Sequence, residues 1–111
     1  MAPRTTPYRF HNTCVGWNRD DVDRPGGLCD LVANARDISR ARFLRLVDRQ
    51  DRIEMERALG YTSHPRAPGL HITQDYHVVY KTGRLHGRHV AFLVHSAIEH
   101  VFVPEGFHTP A

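Results

Sequence analysis

The chain has 111 residues, 41% of them hydrophobic and 24% charged, which is the balance of a folded domain rather than a disordered one. That length supplies one modest core and no second one. Its apolar runs, Val90 to Val94 and Val101 to Val103, are far too short to cross a bilayer, and a net charge of +3 permits a polyanionic partner without requiring one.

Residues 1 to 7 hold two prolines and two threonines and are expected to form a tail, with a single domain over 8 to 103 and a second tail over 104 to 111. The start, MAPRTTPYRF, has no apolar segment behind its arginine, so no secretory signal or membrane partner is expected and a cytoplasmic location is the default. Fourteen of the fifteen basic residues are arginine. Guanidinium suits bidentate contact with phosphate or carboxylate, although a GC-rich genome explains the same ratio.

From Tyr8 to Trp17, Tyr8, Phe10, Asn12 and Cys14 alternate with Arg9, His11, Thr13 and Val15, the pattern of a short strand. His11 and Cys14 have the H-x-x-C spacing that seeds a zinc site if Cys29 and one more histidine come near. Asp20, Asp21 and Asp23 precede Pro25-Gly26-Gly27. The spacing and closing glutamate of a calcium loop are missing, so a solvated loop is expected.

Leu28, Leu31, Val32 and Ala35 recur at i, i+3, i+4 and i+7, which predicts a helix over about 28 to 35. A second helix, capped by Asp37 or Ser39, would bury Ile38, Ala41, Phe43, Leu44 and Val47 and stop near Asp48. Asp51 and Glu54 have capping-box spacing for a third, which buries Ile53, Met55, Ala58 and Leu59 and ends at Gly60 with Tyr61 packing back. The break at 48 to 51 has the outline of a helix-turn-helix. Arg42, Arg45 and Arg49 stand three and four apart, so one helical face could carry them to phosphates, against the plainer reading of a solvated face crossed by ion pairs.

Beyond the proline-rich connector 62 to 69 the period falls from 3.6 to 2, marking a sheet. Leu70, Ile72, Tyr76, Val78 and Tyr80 alternate with His71, Thr73, Asp75 and His77, and Val90, Phe92 and Val94 continue the even pattern after a connection at Arg84 to His86. Keeping apolar opposite apolar pairs Tyr80 with Val90 and Val78 with Phe92. That register sets Asp75 opposite His95, His77 opposite Leu93, Lys81 opposite His89 and, if the strand runs on past Ser96-Ala97, His71 opposite Glu99.

The expected fold is therefore α+β, with short N-terminal helices packed on an antiparallel β-meander formed mainly by residues 69 to 103, the helices covering its even face. Two functional expectations follow. The first is a small non-catalytic binding or accessory protein that docks nucleic acid or a protein partner through Arg42, Arg45 and Arg49. The second is a small hydrolase or nuclease in which Asp75, His77 and His95 supply acid-base chemistry and Arg84 or Arg88 stabilises a phosphate. Neither needs an organic cofactor. A divalent metal would fall to His71, Asp75, His77 and His95. The polar face of a one-sided sheet explains the same residues without chemistry. An unpaired sheet edge suggests a homodimer.

Overall fold

A computed structural model describes residues 8–11, 17–63 and 77–107 of the chain. Asp75, His71 and Cys14, with the pairings expected of them, lie outside the described residues. The fold is α+β. Strand β1 (Arg9–His11) is followed by helices α1 (Arg19–Asp23) and α2 (Leu28–Asn34), strand β2 (Arg36–Ile38), helices α3 (Arg40–Leu46) and α4 (Arg49–Ser63), and strands β3 (Val78–Leu85), β4 (Arg88–His95) and β5 (His100–Phe102). The five strands form one sheet in the order β1-β5-β4-β3-β2, antiparallel except where β1 pairs with β5. Among the described residues no helix is long and apolar enough to cross a membrane.

Local chemistry accounts for most of these elements. Ser39 caps α3 by accepting the Arg42 amide at 3.1 Å. Val47, extended at φ −104° and ψ 138°, stops the helix. The α2 period buries Leu28 and Leu31 as its spacing predicts. Three expectations fail here. Asn18 to Asp23 is not a solvated loop: Asn18 and Asp21 form a capping box that starts α1, and Asp21 is fully buried. Asp51 and Glu54 lie inside α4, which begins two residues before Asp51, and Gly60 is a residue within that helix rather than its cap. Of the apolar side expected for α3, Phe43 is buried while Ala41 and Leu44 are exposed.

The register also differs. Val78 faces His95, Tyr80 faces Leu93 and Lys81 faces Phe92, a slip of three residues from the pairing read off the alternation. The connection is a tight turn at His86-Gly87, with φ of 52° and 78°. Positive φ at both positions is the type I′ signature, whose twist matches that of the strands it joins. An odd slip exchanges faces, so the even positions of β3 share a face with the odd positions of β4.

Both faces are consequently covered. On the first, α2 packs Leu28 and Leu31 against Leu85, Val90, Phe92, Val94, Val101 and Val103. On the second, Phe43 of α3 and Met55 and Leu59 of α4 pack against Ala91, Leu93 and Phe102. All six residues from Val90 to His95 are buried, the mark of a strand enclosed from both sides. Helices covering the even face alone are thus corrected to helices on both faces. Where α2 crosses β3 the fit is close: a Cβ on Gly83 would stand 2.7 Å from Leu31 Cδ1.

Candidate functional site: an arginine-lined cleft and a histidine row

The second face of the sheet is apolar only in its middle. Following the register outward, Arg36 on β2 pairs with Thr82 on β3, and Arg84 on β3 pairs with His89 on β4. Arg36, Thr82 and His89 lie two residues from Ile38, Tyr80 and Ala91, which pack on the second face, and Arg84 two from Thr82, so all four stand on that face. Together with Arg42 of α3, and with Asp30 and Asn34 of α2 at the sheet edge, they line an open cleft of about 900 Å³.

Three elements thus deliver one arginine each to a single concavity. Among the described residues Arg36 and Arg42 take part in no salt bridge. Arg84 donates from Nη1 to the Gly87 carbonyl at 3.2 Å, which fixes its stem beside the turn. The carboxylates of the cleft are partly spoken for: Asp37 receives Lys81 Nζ at 2.6 Å, and Asp30 accepts the Gly26 amide at 2.7 Å. Thr82 Oγ1 donates to the Val90 carbonyl at 3.1 Å and lies 3.2 Å from His89 Nε2. With its one proton spent on the carbonyl, the hydroxyl accepts from the imidazole, which holds His89 as the Nε2–H form.

The arginines expected to act as a set are partly separated. Arg42 and Arg45 lie on α3, but the extended Val47 interrupts the helix before Arg49 opens α4, so no single helical face carries all three. Arg42 and Arg84 line the cleft, whereas Arg45 and Arg49 are exposed outside its lining. Arg88 is engaged elsewhere, donating to the Gly106 carbonyl at 2.7 Å with its guanidinium 4.2 Å from the centre of the Phe107 ring.

At the opposite end of the same face the strands finish in imidazoles. His95 on β4 pairs with His100 on β5, and His11 of β1 reaches His100, with Nε2 and Nδ1 2.8 Å apart. Phe102 stacks on the His11 ring at 4.9 Å. His77 and His95 do come together, ring centres 5.8 Å apart, but through the new register: Ser96 donates both its amide and its hydroxyl to the His77 carbonyl. His95 is only 6% exposed, while His77 is exposed.

Burial, the neighbouring His100 and Arg9 together lower the pKa of His11 to about 4. His100 is lowered as well, by burial first and then by Arg9 and His95. Both shifts favour the neutral ring, and the hydrogen bond itself requires the accepting ring to be neutral. Among the described residues no group of three or more His, Cys, Asp or Glu is arranged to hold a metal ion. Cys29 belongs to α2, on the first face, so the sheet stands between it and the His11 ring.

Sequence reasoning missed one further pair. Buried Asp21 accepts from His86 Nε2 at 3.2 Å, and the His86 amide donates to the Gly26 carbonyl at 2.8 Å. The hairpin turn is thereby clamped to the α1–α2 loop. The two side chains are 65 residues apart in sequence, and the only signal was a histidine beside a glycine in a position that demands positive φ. Comparison with family models, with curated proteins and with solved structures returns no match to this chain.

Proposed function

We propose that this is a small non-catalytic binding protein that takes a nucleic-acid strand by its phosphates, along the cleft between α2, β2, α3 and β3. The carrying observation is the convergence of Arg36, Arg42 and Arg84 on one open cleft, with Arg36 and Arg42 outside any salt bridge among the described residues. Guanidinium groups fixed on different elements present forked donors at several angles, which suits a run of phosphates better than a single carboxylate. Arg45 and Arg49 are exposed as well, outside the lining of the cleft. Among the described residues no aromatic side chain apart from the His89 imidazole lines the cleft, so the reading is of backbone contact with little base selectivity.

Binding of a labelled 20-nucleotide strand, followed by anisotropy from 50 to 300 mM salt, tests this. Affinity should fall steeply with salt, and the combined Arg36, Arg42 and Arg84 to alanine variant should reduce the slope of log K against log salt by about 2, roughly 0.7 for each phosphate lost on a single strand. A slope unchanged in that variant rejects the cleft. Tight binding of an acidic peptide with no oligonucleotide binding assigns it to a protein partner instead.

A second reading has its own observation, the approach of His77 and His95 to 5.8 Å. It is a hydrolase or nuclease using Asp75, His77 and His95. His95 is deeply buried and His77 exposed, so on this reading His77 is the ring that meets the substrate. Phosphodiester turnover lost in His77→Ala at unchanged melting temperature supports this reading, and turnover absent from the wild-type chain dismisses it.

A further inference from the structure

We propose that His11 and His100 form a two-histidine chelate for a first-row divalent metal ion such as Ni²⁺ or Cu²⁺. The two donor nitrogens, His11 Nε2 and His100 Nδ1, are 2.8 Å apart on neighbouring parallel strands. Two nitrogens bound at roughly 2.0–2.1 Å and at right angles around one ion stand about 2.9 Å apart, the arrangement of square-planar and octahedral Cu²⁺ and Ni²⁺ sites, whereas a tetrahedral pair stands about 3.3 Å apart. The rings are also inclined to one another: their centres are 4.5 Å apart and their planes 33°. That is closer than two rings set end to end across the same contact, so the facing nitrogens do not point straight along the line between them.

The pair is prepared for a metal in two ways. Phe102 stacks on His11 at 16° between planes and limits rotation of that ring, and the β1–β5 pairing holds the two strands in register. Imidazole binds a metal in its neutral form, so the ring that donates in the free protein would carry its hydrogen to its other nitrogen and present a lone pair. Imidazole donors select zinc, copper and nickel over magnesium and calcium, which prefer oxygen. Two protein ligands leave the remaining positions to water or to a further ligand. Arg9, exposed and opposite His100 in the register, is the charge that opposes a cation here.

Calorimetric titration of the full chain with Ni²⁺ and Cu²⁺ at pH 7.5 tests the proposal. One equivalent should bind more tightly than the rest. His11→Gln and His100→Gln, which keep a polar side chain but remove the ligand, should each weaken that equivalent by at least about tenfold, since loss even of an outer-shell partner has that effect. His89→Gln should leave it unchanged, and Arg9→Gln should tighten it. Wild-type protein provides a readout that needs no variant: bound Ni²⁺ should selectively broaden the ring signals of His11 and His100. Equal affinity in the wild type and the His11→Gln/His100→Gln double variant, or broadening confined to other histidines, overturns the proposal and leaves the pair as a structural hydrogen bond.

Discussion

The two faces of the sheet are built from the same strands and end differently. The first carries aliphatic and aromatic residues from Leu85 through Val94 to Val103 and is closed by Leu28 and Leu31 of α2. The second buries Ala91, Leu93 and Phe102 in its middle under α3 and α4, then turns polar at both ends, into Arg36, Arg84 and His89 on one side and His95, His100 and His11 on the other. Apolar area removed from water stabilises at roughly 25 cal/mol per Å², so the first face is the fold's principal store of stability. The second is where polar groups can be offered to a ligand without emptying the core.

The sharpest way to break this contrast is to open the first face. Phe92→Ala removes a side chain with no exposed surface and should lower unfolding free energy by about 3–5 kcal/mol in urea titrations, from lost transfer and residual cavity together. A much smaller loss would move the main core to the second face.

A smaller effect is expected at the buried carboxylate of Asp21. Asp21→Asn keeps the shape and an acceptor for the α1 cap but removes the charge that faces His86. A hydrogen bond to a charged group contributes about 1.5–3 kcal/mol, so a loss in that range is expected, with hydrogen exchange accelerating at the His86 turn before the rest of the sheet. Uniform acceleration would show that the clamp is not local.

The gentlest test uses pH on the second face. The pKa of His11 is about 4 in the folded chain against 6.5 for an unperturbed histidine. The unfolded chain therefore takes up a proton first as pH falls. Stability from this pair is present above pH 6.5 and declines as pH drops towards about 4. His100, shifted the same way, adds to the decline. Urea midpoints at pH 7 and pH 4.5 should differ more in the wild type than in His11→Gln; equal differences would mean that the pair's neutrality does not contribute.

How much of this was legible depends on range. The helix at α2 followed from the i, i+3, i+4, i+7 spacing of Leu28, Leu31, Val32 and Ala35, because one buried stripe imposes that period on the sequence itself. A cap at Asp37 or Ser39, of which Ser39 serves, and a stop near Asp48 followed from local hydrogen-bond chemistry. The alternation from Leu70 to Tyr80 suggested one wet face, yet Val90 to Val94, five apolar residues without a break, already carried the opposite message: a strand covered on both sides has no reason to alternate. The candidate site was legible only in part. His77 and His95 do meet, and Arg42 and Arg84 do line the cleft, but Arg36, His89 and Thr82 were not singled out, and neither was His100 beside His11.

The sequence by itself determined the α+β class, the positions of α2 and α3 and the residues rich enough in nitrogen to bind something. These rest on periodicity and capping, which act within a few residues. Only the tertiary structure decided which side chains share a face. A single turn with positive φ at His86 and Gly87 set the register, and an odd slip moves every side chain of one strand to the other side relative to its partner. That one choice brought Thr82 and Arg84 onto the face of His89 and Ala91, seated Val78 beside His95, and enclosed β4 on both sides.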